Sequence, residues 1–362
     1  MGRELSGVFA GRGLAKAIVT RIAMRASTTQ SALDYVCPRC KGALQIFAER
    51  YACAACDRDY PVVLGIPDFR LRADPYIGFD EDREKAALLA RHSELADLRG
   101  LVEYYWSITP DTPVEMARRF TDQALAGAQR GRHLLSSLTS ALPEARQRFI
   151  ELGCRSGGVL SAAADHYEHL VGIDIALRWL VIARKCLLEA GVPAQLVCCC
   201  AEYLPFADGS FDLAVAENVL EHAATPQELI DEAYRVLEPG GVLFATTWNR
   251  FAVAPEPHVR LWGVGWMPRA LARRFVRKMR GTSYDHVRLL SVFEVKRLLR
   301  RSPFRNGQLG LPTFSQVEVA SRSSFEQRLL GFYHNLKKWP LVRAVLLLVG
   351  PVLQIKCVAA QR

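Results

Sequence analysis

Residues 149–158 read FIELGCRSGG, residues 171–176 read VGIDIA, and residues 211–218 read FDLAVAEN. Each is an apolar run that ends in small or polar residues. The first ends at Glu151 with Gly153, Gly157 and Gly158, the second at Asp174, and the third at Glu217 and Asn218. Ligands of open α/β sheets bind outside the carboxyl ends of the strands, so these are the positions that face one. The order strand, glycine loop, helix, strand, helix repeats through this core and predicts a mostly parallel, doubly wound sheet. Strands are expected at Phe149–Leu152, Leu170–Asp174, Gln195–Cys199, Leu213–Glu217, Val242–Thr247, Gln316–Ala320 and Val352–Ala360. Gln227–Leu237 reads as an amphipathic helix closed by Glu238-Pro239-Gly240-Gly241.

The chemistry of these ends follows from residue type. Gly153 and Gly157 have no Cβ, so the backbone turns tightly and approaches a ligand closely. The helix after them presents unpaired N–H groups. Asp174 lies 21 residues past Gly153, where a carboxylate accepts hydrogen bonds from ribose hydroxyls. A glycine turn with a downstream acid also fits a nicotinamide or flavin enzyme.

The downstream text discriminates. Leu204-Pro205-Phe206-Ala207-Asp208-Gly209-Ser210-Phe211-Asp212 is followed by NVLEH at 218–222 and RVLEPGG at 235–241. Together with the three strand ends, this resembles class I S-adenosylmethionine-dependent methyltransferases, in particular the subgroup called methyltransferase type 11. The resemblance implies a doubly wound, seven-stranded Rossmann-like sheet with an antiparallel last strand. It implies S-adenosylmethionine as cofactor, held by Glu151, Gly153, Gly157, Asp174, Ile175, Ala201, Glu202, Glu217 and Asn218. It also offers His222 as a general base, because an oxygen acceptor needs one and a histidine pKa suits the task. The alternative for His222 is to pack and orient the loop after the strand. Two positions depart from the family pattern. Arg155 stands where the middle glycine is usual, which suits a backbone in an ordinary region. Cys200 stands where an acid often holds the adenine amino group, leaving Ala201 and Glu202 for adenine. Some quinone-pathway relatives bind a metal with two carboxylates and the histidine. Asn218 replaces the first of those acids, so no catalytic metal is expected.

Ten cysteines are present, four of them as Cys37-x2-Cys40 and Cys53-x2-Cys56, twelve residues apart. Such paired spacing closes a tetrahedral zinc site with no open position, which is structural rather than catalytic. The surrounding YVCPRCKGAL…YACAACDRDYPVVLGIPDFR resembles the small zinc ribbon that accompanies tRNA and protein methyltransferases as an activator. It also resembles the ribbon ahead of the catalytic fold in ribosomal-RNA guanine methyltransferases. Residues 1–32 read as a basic tail, with an organellar transit peptide as the alternative, and 33–72 as the ribbon. Residues 73–142 read as a helical linker or lid, with Tyr104-Tyr105-Trp106 forming either a lid wall or a packing interface. The sheet domain takes 143–250 and 312–362, and 251–311 form a substrate-specific insert.

At 362 residues the chain suits one large domain and a small one. The net charge of +10 is concentrated between Arg250 and Asn306, where 14 Lys and Arg face three acids, Glu256, Asp285 and Glu294. His258, Tyr284, His286, Trp262 and Trp266 lie in the same segment as candidate bases and stacking groups. The expected partner is a small, anionic methyl acceptor. The alternatives are an RNA-facing surface and peripheral membrane contact through Arg273, Arg274, Arg277, Lys278 and Arg280. The expected activity is methyl transfer to O or N of a small metabolite, the alternatives being RNA methylation and a scaffold that binds cofactor without turnover. A cytoplasmic location is expected. The apolar run Ala344–Ile355 is twelve residues long, short of the roughly 20 that a span needs. Leu341–Val349 is expected as a short buried helix.

Overall fold

The computed structural model describes residues 33–110, 112–139, 147–304, 306–314, 319–320 and 323–360. A small sheet comes first, with antiparallel strands β1 (Gln45–Ile46), β2 (Arg50–Cys53), β3 (Arg58–Val63) and β4 (Ile66–Pro67). Four helices follow: α1 (Phe79–His92), α2 (Leu98–Ser107), α3 (Val114–Leu125) and α4 (Gly127–Thr139). The large domain then runs β5 (Arg148–Leu152), α5 (Gly158–Ala163), β6 (His169–Asp174), α6 (Leu177–Glu189), β7 (Gln195–Cys198), β8 (Phe211–Glu217), α7 (Pro226–Val236) and β9 (Leu237–Trp248). After it come α8 (Arg269–Arg280), α9 (Val292–Arg301), β10 (Gln308–Gly310), α10 (Ser324–Leu336), α11 (Pro340–Val349) and β11 (Val352–Val358).

The seven strands are ordered β10-β11-β9-β8-β5-β6-β7. Strands β5 to β9 pair in parallel, and β11 runs antiparallel between β9 and β10. Strand order reverses between β5 and β8, which is the switch point where such sheets bind ligands. Phe149, Ile150, Leu213, Ala214 and Val215 are fully buried, as central strands covered on both faces require. Asp212 helps set the sheet's register, because its carboxylate accepts the N–H groups of Gln147 and Arg148 at 2.7 and 2.6 Å.

The small sheet is stitched to the large one. Tyr35 and Phe206 share an antiparallel bridge, and Asp68 pairs with Cys198. Lys41 Nζ reaches Glu232 at 2.6 Å. Past the small sheet, Asp68 to Asp82 forms a buried charge network. Arg70 binds Asp68 and Asp82 at 2.8 and 2.6 Å, and Arg178 binds Asp74 and Asp82 at 2.8 Å each. Asp82 also accepts the Leu177 N–H, capping α6. Buried charges persist when each finds a partner, and here each does.

Two expectations need correction. The strand expected over Gln316–Ala320 lies mostly outside the described residues, which omit 315–318, and the two described positions, 319–320, are helical. The sheet edge is β10, the three residues Gln308–Gly310, too short for an alternating pattern to mark it. The helix expected at Leu341–Val349 does form, as α11, but it buries none of its residues. Its hydrophobicity came from composition, and composition does not reveal whether another element packs over a helix.

Candidate active site

The loop after β5 carries three left-handed residues, Gly153 (φ 74°), Arg155 (φ 46°) and Gly157 (φ 76°). A Cβ on Gly153 would meet Val219 Cγ2 at 2.7 Å, and one on Gly157 would meet Ala183 at 3.2 Å. Glycine is needed at both positions. Arg155 does not have the ordinary backbone that would suit an arginine there: it holds a conformation that costs an L-residue about 1–2 kcal/mol. We expect Arg155→Gly to raise stability by about 1 kcal/mol and to tighten cofactor binding by removing a cation beside a sulfonium. A thermal melt and a titration of the variant check both effects.

Asp174 ends β6 as expected and is nearly buried. Its oxygens accept the Ala176 and Arg155 N–H groups, both at 2.9 Å. A carboxylate offers about four lone-pair sites, so two remain for ribose hydroxyls. Burial raises its carboxyl above the ordinary range, and these backbone donors oppose the rise. Glu151 lies deeper. It accepts the Leu160 N–H of α5 at 3.1 Å, and burial, then Glu217, raises it well above the usual carboxylate value. The left-handed Asn218 (φ 54°) sits beside Glu217 at the end of β8, its N–H bound to the Thr246 carbonyl at 3.0 Å.

A segment that sequence reasoning missed, Asp68–Asp74, crosses the ends of β6 and β7. Phe69 N–H donates to Cys198 O at 2.7 Å, and Arg70 donates to Ile175 O at 3.1 Å. Arg72 pairs with Glu202, which also accepts the Ala224 N–H at 2.7 Å. Glu202 is thus tied to the loop after β8, with Ala201 beside it and Cys200 buried. Isolated arginines between turn residues carry no periodic signal, which is why this strap was not read. The strand-end acid, the two obligate glycines and the strap form a cradle that fits an adenosyl cofactor.

Past the end of β8, His222 and His258 meet edge to face, with Nε2 atoms 3.2 Å apart. His258 Nδ1 lies 2.6 Å from Glu256 Oε1, and Glu256 Oε2 accepts the His258 and Val259 N–H groups at 2.8 and 2.7 Å. Buried Tyr284 donates to Glu256 Oε1 at 3.0 Å. His222 Nδ1 lies 3.5 Å from Tyr76 Oη, and His286 sits against the Tyr76 ring. Burial, then the charges of His258 and Arg155, pushes the His222 pKa down to about 3, so it is neutral at working pH. The spacing within the insert was visible in the sequence. The pairing of His258 with His222 across 36 residues was not. An adjoining cleft is lined by Trp248, Asn249, Glu256 and Trp266. One ligand atom from each of Glu221, His222 and His258 falls within 4.8 Å of the others, a spacing compatible with a cation.

The four ribbon cysteines converge. Cys37 and Cys56 sulfurs lie 4.0 Å apart, and Cys40 and Cys53 sulfurs 3.6 Å apart. Four sulfurs each about 2.3 Å from one ion would stand about 3.8 Å apart. Each Cys pair is followed by a left-handed residue, Lys41 (φ 62°) and Asp57 (φ 50°), so the two turns match.

Residues 150–245 match the model of a family described as methyltransferase domain. A ubiquinone biosynthesis O-methyltransferase of Chromobacterium violaceum is 29% identical over 174 residues, 47% of this chain and 68% of that protein. A second, of Idiomarina loihiensis, is 28% identical over 34% of this chain and 52% of its own length. A 24-methylenesterol C-methyltransferase 2 of Arabidopsis thaliana is 33% identical over 32% of this chain and 34% of its own length. Beyond the first of these three, the chain spans about half or less of the relative's length. The solved S-adenosylmethionine-dependent methyltransferase of Mesorhizobium loti is 20% identical over 62% of this chain and 96% of that one, with a TM-score of 0.43.

Proposed function

We propose that this S-adenosylmethionine-dependent methyltransferase methylates a hydroxyl oxygen of a small acceptor, with His222 as base and His258 and Glu256 as its proton sink. The observation that carries this reading is the chain His222 Nε2···Nε2 His258 Nδ1···Oε1 Glu256, at 3.2 and 2.6 Å. Glu256 fixes a proton on His258 Nδ1. With that proton at Nδ1, His258 Nε2 accepts the His222 Nε2–H, and His222 Nδ1 is left as an acceptor. The cofactor's sulfonium supplies an activated methyl group. As the acceptor oxygen bonds to that methyl, its own proton passes to His222 Nδ1. The His222 Nε2 proton moves in turn to His258, beside the Glu256 carboxylate. The names of the Chromobacterium and Idiomarina relatives agree with an oxygen acceptor. Glu151, Gly153, Gly157, Asp174, Ile175 and the Ala201–Glu202 corner would hold the cofactor, with Glu217 and Asn218 flanking the transfer point. The test is a screen of phenols and aliphatic alcohols against matched amines, with the product mass identifying the methylated atom.

The ribbon cysteines would hold a structural zinc. The sulfur spacing and the matched left-handed turns support this. Removing the metal is expected to unfold the ribbon, since so small a unit has little core of its own. Tyr35 of the ribbon packs, tilted, against Phe206 of the large domain at 5.9 Å, so the large domain's melting temperature should fall with it. Atomic absorption at one zinc per chain, with a melt before and after chelation, checks the prediction. A metal-free protein with an unchanged melt would contradict it.

A further inference from the structure

Helices α10 and α11 bury none of their own residues. Yet they are rich in large apolar side chains. Phe325, Phe332, Trp339 and Leu341 are 68, 63, 69 and 83% exposed, and Leu329 and Val345 are more than half exposed. A soluble surface rarely presents so many large apolar groups in one run. Four basic residues, Arg328, Lys337, Lys338 and Arg343, accompany them against one acid, Glu326. Lys337, Lys338 and Trp339 form the turn between the helices, and Arg343 follows one turn into α11.

We infer that α10 and α11 form a docking surface for an anionic lipid bilayer. Apolar side chains enter the acyl boundary, the tryptophan sits at headgroup level, and lysines and arginines meet lipid phosphates. Charge decides between this partner and a second copy of the chain. A two-fold contact through these helices would bring the same four cations against their mates with one acid each to offset them. Protein interfaces are, besides, depleted of lysine at their centres. No helix among the described residues is long and apolar enough to cross a membrane, so the pair lies on the surface. The surface differs from the basic face of α8. There Arg273 and Arg277 pair with Asp285, and Ala272 and Val276 pack into the insert.

The pair is also fixed to the acceptor cleft. Buried Asn249 donates its side-chain N–H groups to the carbonyls of Leu347, Leu348 and Gly350 at 3.1, 3.0 and 2.9 Å. Val253 N–H donates to Val349 O at 2.9 Å. Docking would therefore hold the cleft mouth, which Asn249 and Pro351 line, near the bilayer.

The test is flotation of the zinc-loaded full chain with vesicles of pure phosphatidylcholine and of equimolar phosphatidylcholine and phosphatidylglycerol. Variants Leu341→Glu/Val345→Glu and Lys337→Glu/Lys338→Glu are run alongside, with sedimentation velocity on each. Binding is expected to the anionic vesicles and not to the neutral ones. Each double variant should lose at least roughly tenfold, with an unchanged melt and unchanged cofactor titration. Equal binding to both vesicle types, or to neither, would overturn the inference. So would a wild-type dimer that the Leu341→Glu/Val345→Glu variant converts to monomer.

Discussion

Asp174→Ala is expected to weaken S-adenosylmethionine binding by roughly 100-fold or more, the loss of two hydrogen bonds to a carboxylate. The reason lies in the site's geometry. Each Asp174 oxygen already accepts one backbone N–H, from Arg155 or Ala176, and has one lone pair left for a ribose hydroxyl. The same change strands those two backbone donors, so the glycine loop should loosen and stability should fall by about 1–3 kcal/mol. Asp174→Asn separates the two effects. It keeps the shape and one acceptor oxygen, so it should retain the fold while losing part of the affinity. Calorimetry with S-adenosylmethionine and S-adenosylhomocysteine, beside circular dichroism of each variant, reads both quantities. Wild-type affinity in a folded Asp174→Ala protein would remove Asp174 from the cofactor site.

The second large effect concerns the histidine pair. His222→Gln is expected to lower kcat by about 100-fold, the lower end of a positioned base's contribution, because its depressed pKa makes it a weak base that depends on passing its proton to His258. His258→Gln should lower it less, by about tenfold or more, with cofactor affinity unchanged. His258 acts here as a positioning residue and proton sink, so the double variant should be no slower than His222→Gln alone. An acceptor whose hydroxyl is already ionised at the assay pH needs no base, and with it both variants should regain most of the wild-type rate. A merely structural role for the pair predicts the opposite, with equal losses on ionised and neutral acceptors. Glu256→Gln should resemble His258→Gln. It removes the carboxylate that orients the ring and weakens the Tyr284 hydrogen bond at 3.0 Å.

Much of the sheet was readable because its strands are buried on both faces. Runs such as FIELG and FDLAVAE (149–153 and 211–217) are mostly apolar, each with one acid inside it, and end abruptly at glycine or polar residues. That abrupt end marks the strand's carboxyl edge, which is why Asp174 and the glycine loop were placed correctly. β10 escaped because three residues beside a glycine leave no pattern. Arg155 was misjudged because left-handed backbone is a property of the loop's closure, and Gly153 and Gly157 gave the only local hint. The His222–His258 pair depends on how the insert folds back over β8, and neither residue signals that by itself. Arg72 and Glu202 meet across 130 residues for the same reason. α11 shows the converse limit. Its apolar text implied burial, and only the fold reveals that none of its residues is buried.

The central claim is methyl transfer to the oxygen of a small acceptor. Its most direct test uses S-adenosylmethionine carrying a labelled methyl group. Zinc-loaded protein is given a mixed pool of phenols, alcohols and matched amines, with total RNA in a parallel tube. The expected result is label in a hydroxyl-bearing product, recovered as a methyl ether and lost in His222→Gln. Label in RNA or on an amine nitrogen, with none on oxygen, would contradict it.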